Sequence, residues 1–367
     1  MTPVTFTLRI SDRAIEDLKA RLARLPWPDV RPERATGGES AFQEQLVAYW
    51  RDGFDWRAVE ARLNAFPQFK VWLGGVDLHY LHVPGRGPDP TPLILCHGWP
   101  GSVFEWLWLI PRLTDPARFG GDPADAFTVI APSLPGYGLS YAPGQPCFSA
   151  GETAGLLMSL MSDVLGYRRF AVHGGDWGAA ITAQMGQVRS DPLVGMRLDL
   201  LSALAGVHQA DARPAEQRAC LTETGEWRSR GQAYAFIQLP PAMAAEQLVR
   251  GGEGGRPGAD DEAAYERDAL LANISLYWFT GAIKASSWPR YGSPGGASAR
   301  PAGGAAPGGA RRGGVSRPNA PAAPAMARVV TDAGHWTVGP GEGHSAAMKR
   351  PDLLAGDIRA FFRPLRG

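Results

Sequence analysis

Gly174-Gly175-Asp176-Trp177-Gly178 brings together residues whose types and spacing could do covalent chemistry. Small residues two before and two after a central position let a strand turn sharply into a helix and project the middle side chain. Arg169-Phe170-Ala171-Val172-His173 reads as the strand, and Ala179-Ala180-Ile181-Thr182-Ala183-Gln184-Met185 as the helix. A serine at the apex would suggest acyl transfer. An aspartate suggests attack on a saturated carbon, as in epoxide opening or dehalogenation, because a carboxylate is ionised at neutral pH. The competing reading is an ordinary glycine-rich strand–helix turn. His97-Gly98-Trp99-Pro100 also follows an apolar strand, and its Gly-Xaa-Pro turn can aim a backbone N–H at such an apex. The N–H groups of Trp99 and Trp177 would then form an oxyanion hole. His97 itself reads as structural. Opening an epoxide also needs an acid, which a tyrosine hydroxyl can supply.

The elements that must position these groups alternate along the chain. Val4–Ile10 alternates with period two, as a strand does, and Ser11-Asp12 caps an amphipathic helix through Leu22. A helical stretch runs from about Ala41 to Phe66. Strands are expected at Phe69–Trp72, Leu78–Val83, Pro92–Cys96, Phe127–Pro132, Phe170–His173 and Val194–Leu201. Helices are expected at Gly155–Leu165, Tyr265–Ile283 and, closing the chain, Asp352–Phe362. Strands alternating with helices imply a mostly parallel sheet covered on both faces. The rhythm lapses near 206–290, where a helical insertion would sit over the strands' carboxyl ends as a lid.

Bulk properties narrow the field. The 367 residues carry 37 basic and 36 acidic side chains, a formal net charge of +1, so no polyanionic partner is indicated. Three scattered cysteines, Cys96, Cys147 and Cys220, make neither a disulfide framework nor a zinc site. Cys96, ending an apolar run, reads as a buried small hydrophobe. No signal peptide or membrane-length apolar run is evident, so a cytoplasmic protein is expected.

In order and spacing, several of these motifs resemble the epoxide hydrolases of the α/β-hydrolase fold, in the microsomal-like branch with its own N-terminal region. The likeness rests on Asp12-Arg13…Leu18…Arg21-Leu22…Leu25-Pro26, on Trp56-Arg57-Ala58…Glu60-Ala61-Arg62-Leu63-Asn64 and on Phe66-Pro67-Gln68-Phe69. His97-Gly98-Trp99-Pro100-Gly101-Ser102, Pro135-Gly136-Tyr137-Gly138 and the Asp176 turn complete it. It covers most of 3–236, then 262–291 and 341–363. The resemblance implies Asp176 as nucleophile, two lid tyrosines matched by Tyr234 and Tyr291, and His344 in Glu342-Gly343-His344-Ser345-Ala346-Ala347 as the base that activates water. Tyr137 and Tyr277 read as structural, and His335 as an exposed loop residue outside the site. Dehalogenases resemble this site too, and there an indole such as that of Trp177 holds the halide.

Two segments depart from the family pattern. From 292 to 328 there are 11 Ala, 9 Gly and 6 Pro and no acidic, leucine, isoleucine or aromatic residue, a composition expected to form a loop. The family's triad acid lies about two dozen residues before the histidine, which falls near Arg317-Pro318. Asp332, 12 residues before His344, and Asp199, in Arg197-Leu198-Asp199-Leu200, are the alternative acids, with Asp199 preferred. Between Gln238 and Asp260 an apolar lid helix is replaced by a glycine- and proline-rich run. Both segments end with the family register restored, consistent with out-of-frame translation of a GC-rich gene.

The expected organisation is an α/β-hydrolase fold with an N-terminal extension and an inserted helical cap. Residues 1–90 form the N-terminal region and 91–205 the first part of the core. The cap spans 206–291, with 238–260 anomalous, followed by the loop 292–328 and the closing core part 329–367. The expected partner is a small epoxide, with no nucleic acid, membrane span, metal or organic cofactor, and a homodimer remains open. The rival readings are a dehalogenase using the same aspartate and a catalytically degenerate family member.

Overall fold

A computed structural model describes residues 1–25, 39–199, 267–287, 311–316, 333–338 and 346–366. Tyr234, Tyr291, His344, Asp332 and the anomalous run 238–260 lie outside them. Among the described residues, nine strands form one sheet in the order β1-β2-β3-β5-β4-β6-β7-β8-β9. The strands are β1 (Val4–Thr5), β2 (Gln68–Leu73), β3 (Val76–Val83), β4 (Thr91–Cys96), β5 (Phe127–Pro132), β6 (Phe170–Gly175), β7 (Leu193–Asp199), β8 (Arg311–Ser316) and β9 (Ala333–Val338). Pairing is antiparallel from β1 through β3 to β5 and parallel from β5 onward. This is the mixed sheet of an α/β-hydrolase.

The helices are α1 (Asp12–Leu22), α2 (Glu39–Asp52), α3 (Trp56–Asn64), α4 (Leu109–Thr114), α5 (Ala150–Ser159), α6 (Trp177–Val188), α7 (Arg267–Thr280), α8 (Ala346–Lys349) and α9 (Pro351–Phe362). The central strands are mostly apolar because both faces are covered. Leu93 and Leu95 of β4, Val129 and Ala131 of β5 and Ala171 of β6 pack on one side with apolar residues of α1 to α4 and α9. Ile94 and Cys96, Ile130, and Phe170 and Val172 turn to the other side, against α5 and α6. That alternation is the two-residue period of a strand. Cys96 is fully buried, as expected, and burial pushes its thiol up to about 12.

Several local expectations need correction. The strand foreseen over Val4–Ile10 ends at Thr5. Beyond it the Leu8 and Ile10 N–H groups donate to the side chains of Asn64 and Glu60 on α3, so helix side chains replace a neighbouring strand. The single helix foreseen from Ala41 to Phe66 is two. Gly53 and Phe54 both donate to the Tyr49 carbonyl, closing α2, and Asp55 caps Arg57 to open α3. The helix expected from Gly155 begins at Ala150, where Ser149 and Glu152 form a reciprocal capping box.

Two corrections concern the carboxyl-terminal part. Arg311–Ser316, inside the segment expected to be a loop, is β8, and it runs parallel between β7 and β9. A ladder is built from backbone groups, so Arg-Arg-Gly-Gly-Val-Ser, which contains no proline, joins it without an apolar pattern. His335, expected in a loop, lies in β9 opposite Gly313. Gly334-His335-Trp336 is short and proline-free, and pairing to β8 extends it.

Candidate active site

Asp176 sits between the end of β6 and the first turn of α6 with φ 51° and ψ −122°, the one left-handed non-glycine residue among those described. Such a conformation is strained for an L-residue and persists only where its surroundings enforce it. The enforcing contacts are tight. A Cβ on Gly178 would lie 1.9 Å from the Cys96 carbonyl oxygen, and one on Gly174 would lie 2.3 Å from the Gly178 oxygen. Both flanking positions therefore require glycine. The small–Xaa–Asp–Xaa–small spacing is the sequence trace of this close approach.

The Trp99 N–H donates to Asp176 Oδ1 at 2.8 Å, as the turn after β4 was expected to arrange. Gly98 makes room for it, since a Cβ there would stand 2.5 Å from the Asp176 Cβ. Trp177 is the first residue of α6, so its N–H belongs to the amides that open that helix, where the helix dipole favours negative charge.

His97 is fully buried beneath this turn and does not face a reaction. Its Nδ1 lies 3.0 Å from the Gly98 carbonyl, and its Nε2 accepts from the Leu134 N–H at 3.1 Å. Those partners require the neutral ring protonated on Nδ1. Burial pushes it down to about 4. Tyr137 packs edge-on against it with centroids 5.2 Å apart, in keeping with a structural role.

Asp199 closes β7 directly opposite Gly175 of β6, one residue from the nucleophile position. Its Oδ1 accepts from Arg197 Nη1 at 2.8 Å, and its Oδ2 is 3.7 Å from His173 Nε2. Arg197, 1% exposed, also donates to Asp357 of α9 at 2.6 Å. Burial pushes His173 down to about 4, outweighing the opposing pull of the Asp199 charge. Asp199 thus belongs to a polar network under the nucleophile strand. Arg317-Pro318, the usual place for the acid, directly follows β8, which ends at Ser316.

A group that sequence reasoning left as structural touches the same turn. Asn273 Nδ2 of α7 donates to the Pro100 carbonyl and the Tyr277 hydroxyl to the Gly101 carbonyl, each at 2.7 Å. The Trp99 indole donates to Ser286 Oγ at 3.1 Å. Asn273 and Tyr277, polar groups four apart in the largely apolar run Leu270–Tyr277, were the available signal. Among the described residues no cluster of histidine, cysteine and carboxylate side chains could hold a metal ion, and no helix is long and apolar enough to cross a membrane.

Comparison with known proteins identifies the family and the fold. Residues 3–106 match the family described as epoxide hydrolase N terminus, and 91–198 the alpha/beta hydrolase fold. A protein of Stigmatella aurantiaca (strain DW4/3-1), provisionally named an epoxide hydrolase, is 34% identical over 98% of this chain and 85% of its own length. Epoxide hydrolase 1 of Oryctolagus cuniculus is 32% identical over 77% of this chain and 70% of its own. Among solved structures, the juvenile hormone epoxide hydrolase of the silkworm Bombyx mori superposes with a TM-score of 0.78 at 23% identity. That superposition covers 100% of this chain and 96% of the other, and shows the shared fold.

Proposed function

Because this chain belongs to the epoxide hydrolases of the α/β-hydrolase fold, we propose that it adds water to an epoxide, giving a vicinal diol through an ester on Asp176. The observation that carries this reading is the Trp99 N–H held on Asp176 Oδ1 at a turn that fixes the carboxylate in place. With Oδ1 held, Oδ2 attacks the less hindered ring carbon, and that carbon's bond to the ring oxygen breaks. The hydroxyls of Tyr234 and Tyr291 hydrogen-bond the ring oxygen, and one delivers the proton that the leaving alkoxide needs.

His344 then takes a proton from water as its oxygen bonds to the Asp176 carboxyl carbon. The negative charge formed on the carbonyl oxygen falls to the N–H groups of Trp99 and Trp177. Collapse breaks the bond from that carbon to the alkyl oxygen, His344 returns its proton to that alkoxide, the new Asp176 carboxyl gives its proton to the tyrosinate left by the first step, and the diol leaves. Asp199 is the carboxylate assigned to orient His344. Its place at the end of the strand beside the nucleophile supports this, as does the lack of any acidic residue from 292 to 328. No step calls on a metal or organic cofactor.

The test is peptide mass spectrometry after mixing the protein with styrene oxide, beside an assay for the diol. The reading expects an adduct on the Asp176 peptide and its conversion to diol. Folded protein that forms neither would rule it out.

A further inference from the structure

The turn that holds Asp176 is itself held, at three consecutive residues, by one segment of chain. The Trp99 indole N–H donates to Ser286, the Pro100 carbonyl accepts from Asn273 and the Gly101 carbonyl accepts from Tyr277. Ser286 and Tyr277 are 1% and 2% exposed, and Ser286 Oγ donates onward to the Ile283 carbonyl at 2.8 Å. This segment is in turn fastened to the N-terminal region. The Trp50 indole donates to Ser275 at 2.9 Å, the Tyr49 hydroxyl to Asp268 at 2.7 Å, and Trp56 packs edge-on against Phe279. Contacts therefore run without a break from α2 and α3 through α7 to the N–H that reaches the nucleophile.

We propose that Asn273 and Tyr277 are positioning residues for the hydrolytic half of the reaction, fixing the Trp99 N–H where the oxyanion forms. The inference rests on the ester mechanism at Asp176. Pro100 stiffens the turn locally, but Gly98 and Gly101 on either side leave its orientation to outside contacts, and Asn273 and Tyr277 supply these by bonding backbone carbonyls of the turn. The two half-reactions depend on the turn differently. Alkylation needs one carboxylate oxygen to reach carbon. Hydrolysis gathers a full charge on the oxygen that the Trp99 N–H must meet at hydrogen-bond distance. Loosening the turn slows the second step more than the first. A role in stability alone would instead lower the amount of competent protein and leave each step unchanged.

Asn273→Ala and Tyr277→Phe test this, each removing one donor to the turn. Wild type and variants are loaded with styrene oxide and desalted, and the Asp176 adduct is then followed by mass spectrometry, normalised to the folded fraction. We expect loading within about twofold of wild type and ester release slowed by roughly tenfold, less than the loss of a whole oxyanion donor. In steady state kcat and KM then fall together. Release at the wild-type rate, or loading and release slowed equally, would overturn the proposal. If Tyr277→Phe fails to fold, the half-buried Asn273 carries the same comparison. Wild type that never loads would refute the reading of Asp176 itself, and the proposal with it, an outcome distinct from fast release in the variants.

Discussion

Gly98→Ala puts a single methyl group against the nucleophile. The Gly98 backbone is not in the left-handed region, so it accepts a side chain without strain, and the nearest obstacle is Asp176. The new Cβ would lie 2.5 Å from the Asp176 Cβ and 2.7 Å from Oδ1. Ordinary contact begins near 3.4 Å, so the two groups must part by about 0.9 Å. Asp176 is pinned by the turn below it, and the Trp99 N–H moves with Gly98. Overpacking of this kind costs about 1–3 kcal/mol of stability. A misplacement near 1 Å at the reacting group costs about a hundredfold in rate. The expected result is a folded protein whose Asp176 adduct forms about a hundredfold more slowly. Gly155→Ala serves as the control, since its Cβ meets nothing within 4 Å on α5. That variant should keep its adduct rate and gain about 0.5–1 kcal/mol. Stopped-flow alkylation and urea titration read both quantities. Gly98→Ala that alkylates at the wild-type rate would refute the packing argument.

Other perturbations probe the surroundings of the site. Arg197→Met leaves the carboxylates of Asp199 and Asp357 without their buried cation and should cost about 3 kcal/mol in a urea titration, whereas a loss below 1 kcal/mol would mean water replaces it. Burial pushes His79 down to about 3 and His97 and His173 down to about 4, against an ordinary value of 6.5. Unfolding lets each take up a proton below 6.5, so the stability they lend is complete above that pH and is lost as the pH falls toward 4. The loss is up to about 1.4 kcal/mol per pH unit for each histidine. Thermal melts at constant ionic strength should fall steeply from pH 6.5 to 4.5, and a flat profile would contradict the burial of neutral rings. Iodoacetamide should label the exposed Cys147 in native protein and spare Cys96, whose thiol is buried and held far from ionisation. Native labelling of Cys96 would mean that β4 opens to solvent.

The sequence alone determined whatever is written in local periodicity and close approach. Short apolar runs marked the central strands, and Ser11 and Asp12 marked the start of α1. The glycines around Asp176 marked a turn that admits no side chain at 174 or 178. The strand and cap signals are constraints between residues near in sequence, and the close approach of Gly178 to the distant Cys96 carbonyl still leaves a trace because only glycine fits there. What the tertiary structure decided depends on partners far apart along the chain. Leu8 and Ile10 leave the sheet because Asn64 and Glu60 supply their acceptors. Arg311–Ser316 becomes a strand because β7 and β9 offer ladders to a run that no composition rule would choose. Asn273 and Tyr277 read as helix residues until α7 is laid across the turn at Pro100 and Gly101. The nucleophile was legible because one short motif encodes its geometry. What holds its hydrogen-bond donor in place was not, because that support comes from residues more than 170 positions away.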